Sequence, residues 1–439
     1  MEAIEERAID ATFDVEYVTR VEGEGSLRLR IRGGDVVEAR LSIFEAPRYF
    51  ERLVVGRTPD EVLDIVSRIC GICPVAYQMT AVRAFEHAFG IEVDPSIAEL
   101  RNLFYAGEWI QSHALHVFLL HAPDFLGYPS ALAMAADHRE LVERGLRLKR
   151  LGNDIMALLG GRAIHPVSIR VGGFSRVPRR AQLAGIRARL DEAVDDSVAT
   201  VELVAGLTAP AFERERPLVA LRLPGAYPYA DGRIASTDGL DLPPDRWDDA
   251  FSEEQHEGTN ALHARTLDGR VYLVGPAARI ALGGEGLHPL AADLLARHGL
   301  VERIRTNPYW SIAARAIELV QATASARDLV DGYRPRGAPL VAWQSRPGRA
   351  AWSTEAPRGL IFHRYEVDER GLVASAQIVP PTSQNQGAIE ADLRAFAPSV
   401  LGLAREEATL RLEQLIRSYD PCISCATHFL DLDIEEESR

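Results

Sequence analysis

Cysteine is scarce here, with four residues in 439, and positive charge never gathers into a block: 49 lysines and arginines stand against 63 acids, a formal charge of −14. With so few, sulfur is not serving as core filler. The lack of a basic block argues against nucleic-acid binding, which needs clustered cations along the phosphates. No run of ~18 apolar residues occurs, so no membrane-spanning helix is expected. The opening Met-Glu-Ala-Ile-Glu-Glu is acidic and lacks the apolar centre of a signal peptide, which points to the cytoplasm. A G-x-G-x-x-G dinucleotide fingerprint is absent. Internal repeats and low-complexity linkers are absent too. The length leaves room for two or three domains. Without a visible linker the chain reads as one, and 47% hydrophobic residues supply a sizeable core.

What cysteine there is stands in two C-x-x-C pairs, Cys70/Cys73 and Cys422/Cys425. Thiolate is a soft ligand that suits zinc, copper(I), iron and similar metals, and two such pairs supply four sulfurs. The residues alone leave several readings open. A structural zinc site takes four cysteines, but compact zinc modules space their pairs by ~15–20 residues, and here about 350 intervene. A thioredoxin-like redox pair would follow a strand, whereas Cys70 follows a helical pattern.

Periodicity places the rest. Leu27, Leu29 and Ile31 alternate with arginines, Gly33-Gly34-Asp35 makes a turn, and Val37, Ala39 and Leu41 alternate again, so Thr12 to Ser42 reads as an antiparallel hairpin with one buried face. Glu22 lies in the turn before it. Thr58-Pro-Asp-Glu61 is a capping box with proline at the first helical position. Val62, Ile65, Val66 and Ile69 form the stripe that ends at Cys70, and a second helix runs from Pro74 to Gly90. Cys73 thus sits at a helix N-terminus, where the dipole favours thiolate. Long helices are expected over 96–121, with His113, His116 and His121 buried or at an interface, over 137–159 with Asp137 as cap, and over 180–206. From 207 to 300 the pattern fades, save a strand at Val271–Val274. Strands at Leu360–Tyr365 and Leu372–Ile378 flank the turn Asp368-Glu-Arg-Gly371. Arg358 lies just before the first and Thr382 just after the second, so both can reach one place. A last amphipathic helix, Glu406–Ser418, ends at Asp420-Pro421 and presents Cys422 and Cys425.

The flanks of the cysteines carry more. Arg68-Ile-Cys-Gly-Ile-Cys73 and Asp420-Pro-Cys-Ile-Ser-Cys-Ala-Thr-His428, with Arg20-Val-Glu-Gly23, Glu355-Ala-Pro-Arg-Gly359 and Val379-Pro-Pro-Thr-Ser-Gln-Asn385, resemble five motifs of the nickel–iron hydrogenase large subunit. They fall in that family's order over nearly the whole chain. The resemblance implies an α+β, mainly helical fold with long central helices and an N-terminal β-hairpin region. It implies a centre of nickel and iron, the iron carrying carbon monoxide and cyanide, with Cys70 and Cys422 as terminal nickel thiolates and Cys73 and Cys425 as bridges. Glu22 becomes the carboxyl that takes the proton from Cys422. Arg358 and Thr382 become hydrogen-bond donors to the cyanides. Arg48-Tyr-Phe-Glu51 resembles the segment whose glutamate binds magnesium, with His428 as a further magnesium ligand. The chain then divides into one domain, 1–428, and a peptide, 429–439, removed after His428 during maturation. One departure is visible: where the family usually has histidine four residues after its second cysteine, this sequence has Tyr77, whose hydroxyl can donate but does not titrate near neutral pH.

The resemblance also implies partners. With all four cysteines assigned, none is left for an iron–sulfur cluster, so a separate iron–sulfur small subunit must take the electrons. The variant Cys-Gly-Ile-Cys-Pro-Val-Ala-Tyr looks most like the cytoplasmic bidirectional and sulfhydrogenase group, which implies diaphorase subunits linked to NAD(P), a nickel-insertion protein and a C-terminal endopeptidase. Two rivals remain: a quinone-side subunit of the complex I type, which shares the fold but lacks the four cysteines, and a zinc-stabilised scaffold.

Overall fold

The computed structural model describes residues 10–46 and 48–427. At its N-terminal end the expected hairpin, Gly25–Arg32 with Asp35–Ile43, gains a third antiparallel strand, Ala11–Val15. Leu27, Leu29, Ile31, Ala39 and Leu41 point inward as their alternation requires. Val37 departs from this and is half exposed. The pairing runs Arg30 with Glu38 but Ile31 with Val36, so Val37 is the extra residue of a bulge and loses its place on the inner face. That face packs on the helices Pro381–Phe396 and Arg405–Ser418 through Leu393, Phe396, Leu412, Leu415 and Ile416.

Long helices form the middle. Pro74–Phe89, Pro95–Ala114, Arg139–Gly160, Arg180–Ala205 and Ser311–Gly332 share one large apolar core. In helix Pro95–Ala114 the stretch Phe104 to Ala114 is buried without a break, as expected where a helix is packed on all sides. The segment 96–121 is not one regular helix. Past Ala114 it widens into a π-helix, Leu115–His121. His113, His116 and His121 are buried as expected, His116 against Arg417 O at 2.8 Å and His113 against Glu318 at 2.9 Å. Asp137 is not a cap. The helix begins at Arg139, and Asp137 instead accepts a hydrogen bond from the Tyr128 hydroxyl at 2.8 Å.

The late hairpin is also wider than expected: Gly348–Ala356 precedes Gly359–Val367 and Val373–Val379 in a three-stranded antiparallel sheet laid on the Pro74–Phe89 helix. Gly348–Ala356 escaped notice because it is buried from Ala350 onward without alternation, and alanine, serine and glycine give little strand signal. The silent stretch 207–300 holds a four-stranded sheet, in the order Leu273–Val274, Leu218–Arg222, Arg233–Ser236, Asp241–Leu242, and a hairpin of Phe251–Gln255 with Leu262–Thr266. The strand expected at Val271–Val274 is only Leu273–Val274. Among the described residues no helix is long and apolar enough to cross a membrane.

Candidate metal centre

Proline at the first helical position and a capping box at Thr58 deliver the first pair of cysteines. Helix Pro59–Val66 starts on the Thr58 capping box and tightens into a 3-10 turn, Ser67–Ile69. Cys70 leaves that turn in extended backbone, and Cys73 is the N-cap of Pro74–Phe89. The second pair arrives from the far end of the chain. Ile423 N donates to Glu22 O at 2.9 Å, and Glu22 and Cys422 form an isolated parallel bridge. The residue that follows the first Arg-Val is thereby tied to the second cysteine pair.

All four thiols are free and buried. Their sulfurs lie within 4.8 Å of one another, with Cys70 Sγ 3.5 Å from Cys422 Sγ and Cys73 Sγ 3.9 Å from Cys425 Sγ. Charge in this cage is uneven. Burial opposes any ionisation, yet hydrogen bonds from the other sulfurs and the Arg358 guanidinium hold Cys70 well below the usual thiol range. Burial and the neighbouring sulfurs push Cys422 up, and burial and Cys70 push Cys425 up against the pull of Cys422 and Cys73. Burial thus disfavours four thiolates in one pocket, and a cation bound among them would offset that cost.

Glu22 Oε2 lies 3.1 Å from Cys422 Sγ and accepts from Ser424 N at 3.1 Å. Burial and the charge of Cys70 raise its pKa, against the pull of Cys422, Ser424 and Arg358. Arg358 is 2% exposed, so it is not a surface salt bridge. Its Nε donates to Asp420 O at 2.9 Å and its Nη2 to Asp420 Oδ1 at 3.0 Å, while Nη1 is buried with no hydrogen-bond partner among the described residues. A buried donor without an acceptor costs about 1–3 kcal/mol, so Arg358 fits an acceptor that the chain does not itself supply. Thr382 Oγ1 accepts from Cys422 N at 3.0 Å, which leaves its own proton to donate. Together these features fit a soft metal group that brings hydrogen-bond acceptors with it.

The other expected residues are less central. Glu51 accepts from Ile378 N at 2.6 Å and lines an adjoining cleft with Ile69, Cys425 and Thr427. His428, like the peptide 429–439, lies outside the described residues. Tyr77 is fully buried, and its hydroxyl has no hydrogen-bond partner among the described residues.

Several supporting residues went unseen in the sequence. Glu108 accepts from Val75 N at 2.6 Å and Ala76 N at 3.2 Å, closing the helix N-terminus beside Cys73, and burial pushes its carboxyl well above the usual range. Gln111 Nε2 donates to Ile72 O at 2.5 Å. Arg48 Nη2 donates to Ile69 O at 2.8 Å. Arg315 stands 3.6 Å from Asp420 and is lowered to about 10 by burial. The available signal was a glutamate and a glutamine, Glu108 and Gln111, in the continuously buried half of a helix, since such groups persist only where they find partners.

A four-thiol cage, a protonatable carboxyl and a guanidinium with an unused donor, held at the meeting of both chain ends, define a metal-dependent redox enzyme. The chain belongs to the nickel-dependent hydrogenase family, whose model matches residues 48–146 and 262–428. It is 34% identical to the alpha chain of sulfhydrogenase 1 from Pyrococcus furiosus over 430 residues, covering 95% of this chain and 98% of that one. It is 34% identical also to the alpha chain of sulfhydrogenase 2 from the same organism, covering 95% and 99%. Among solved structures it superposes on an NAD+-reducing [NiFe]-hydrogenase in the H2-reduced state with a TM-score of 0.87 and 27% identity, covering 95% of this chain and 99% of that one. The α+β, mainly helical fold is that of the family; the scaffold alternative falls with the family match, and the quinone-side alternative with the four clustered cysteines. The chain is a hydrogenase large subunit, thus an oxidoreductase, and its four cysteines fit nickel and iron.

Proposed function

We propose that this chain cleaves dihydrogen heterolytically and reversibly, as the catalytic subunit of a [NiFe] hydrogenase. The observation that carries this reading is the sulfur cage, all within 4.8 Å, with the Glu22 carboxyl 3.1 Å from Cys422 Sγ. Cys70 and Cys422 would serve as ligands of nickel, and Cys73 and Cys425 as ligands of nickel and iron. When bound, that group would supply a Lewis acid for dihydrogen and an acceptor for its electron pair. Cys422 sulfur is the first proton acceptor, and Glu22 takes the proton onward, helped by a carboxyl pKa shifted toward neutrality. Arg358 Nη1 and the Thr382 hydroxyl would donate to the cyanide ligands of that group. Glu51 and His428 would be ligands of a magnesium ion.

The remaining assignments follow from the same reading. The four cysteines are used up, so electrons leave to a small iron–sulfur partner chain and then, through diaphorase subunits, reach NAD(P). We assign the enzyme to the cytoplasm, residues 1–428 to a single working domain, and 429–439 to a peptide cut off after His428 by a maturation endopeptidase once a nickel-insertion protein has loaded the site. Infrared spectroscopy of anaerobically purified, active heteromer tests the reading. Carbonyl and cyanide bands, with nickel and iron in equal amounts, are expected; active protein containing zinc and no such bands would refute it.

A further inference from the structure

Arg279 is buried completely, yet no step described so far uses it. It projects from the short helix Pro276–Gly283 and satisfies its guanidinium at five points. Nε and Nη2 reach the two oxygens of Glu318 at 2.7 and 2.8 Å. Nη1 donates to Glu355 Oε2 at 2.8 Å and to Ala356 O at 2.9 Å, and Nη2 donates to Pro357 O at 2.9 Å. One face of the guanidinium rests on the Trp109 ring, 4.3 Å from its centroid.

Glu355, Ala356 and Pro357 are the three residues before Arg358. Arg279 therefore grips the turn between Gly348–Ala356 and Gly359–Val367 at two successive carbonyls and at the carboxylate that begins it. The carboxylates are anchored in turn. Glu355 Oε1 accepts from Leu221 N at 2.7 Å, and Glu318 also accepts from the Tyr227 hydroxyl at 2.6 Å and faces His113 at 2.9 Å. The backbone closes the other side, where a Cβ on Gly275 would stand 2.8 Å from Arg358 O. Among the described residues the Arg358 side chain is hydrogen-bonded only to Asp420, so the direction of its free Nη1 depends on where this turn sits. A guanidinium suits this role because its rigid fork meets a carboxylate and two carbonyls at once, which an ammonium cannot.

We propose that Arg279, clamped by Glu318, is a positioning residue for the reaction. It sets the aim of Arg358 over the sulfur cage. This rests on the reading of Arg358 as the donor to the iron's cyanides, and the test separates the two. Purified heteromer carrying Arg279→Lys is compared with wild type by nickel and iron content, infrared band positions and turnover. Metals retained, cyanide bands shifted or broadened and turnover lowered roughly tenfold to a hundredfold are the expected results. In an Arg358→Lys background the added Arg279→Lys should change the bands little. Arg101→Met is the control for mere loss of a buried ion pair, since Arg101 binds Glu86 at 2.7 and 2.8 Å away from this turn; it should lower thermal stability without moving the bands. If Arg279→Lys does not assemble, Glu355→Gln, which weakens one contact and keeps the shape, should move the bands in the same sense by less. Bands in Arg279→Lys or Glu355→Gln identical to wild type would overturn the proposal. Wild-type enzyme without cyanide bands would instead remove the reading beneath it.

Discussion

Two influences meet on the Glu22 carboxyl. Burial and the Cys70 charge favour its neutral form, while Ser424 N, Cys422 and Arg358 favour the anion. A group so balanced can take a proton and release it. Glu22→Gln keeps the shape and an acceptor for Ser424 N but cannot carry the proton. Dye reduction by dihydrogen should fall by about 10²–10⁴-fold with nickel content unchanged; unchanged turnover would rule out Glu22 as the relay. Glu390 lets the same logic be read through stability. Burial raises its pKa to about 7, against the pull of Leu41 N, His256, Arg40 and Arg265. Since the folded value lies above the unfolded one, the protonated carboxyl stabilises the fold fully below pH ~4.5, and that contribution is lost as pH rises through about 7. Glu390→Gln should therefore melt increasingly above wild type as pH climbs from 4.5 to 8, and a difference constant over that range would contradict the shift. Glu22 and Arg358 were legible in the sequence because each stands inside a motif. Arg279, Glu108 and Glu390 were not, because their roles are set by what the fold brings against them.

At the scale of elements, the helices Pro95–Ala114 and Arg139–Gly160 touch backbone to backbone at Gly107 and Gly152. A Cβ on Gly152 would collide with Gly107 O and stand 2.6 Å from Gln111 N. Because Gln111 also holds Ile72 O, this contact supports the loop between the first two cysteines. Gly152→Ala should destabilise by ~1–3 kcal/mol, as overpacking does. Gly185→Ala, on the open face of Arg180–Ala205 where a Cβ meets nothing within 4 Å, should instead gain up to about 1 kcal/mol. Equal melting shifts for the two would show that the close approach does not matter. Elements with a cap and a clear period, such as Pro59–Val66, could be placed from sequence. Those buried on both faces or built from small residues, such as Gly348–Ala356, carry no period to read. The widening at Leu115–His121 also has no local signature, since it arises in a helix packed on all sides.

At the scale of the molecule, the metal group would join residues that stand 352 positions apart. Whatever binds the folded site and not the open chain stabilises the fold in proportion to its affinity. Loading nickel and iron should raise the melting temperature. Hydrogen exchange should slow most at Gly25–Ile43 and Cys422–Thr427, because Ile423 N is bonded to Glu22 O and Asn260 N to Ile43 O. Slowing spread evenly over the whole chain would argue against a centre that ties the two ends.

The sequence by itself determined the ligand chemistry. Four cysteines in two pairs, one acid after Arg20-Val and one arginine before a strand are properties of residue type and spacing, and they set which metals and which acid–base groups can take part. Only the tertiary structure decided that these groups share one pocket, that Arg358 keeps an unused donor, and that Arg279 and Glu108 brace the loops around it. Such contacts join residues far apart in the chain, and a buried charge reveals its role only through the partners that satisfy it.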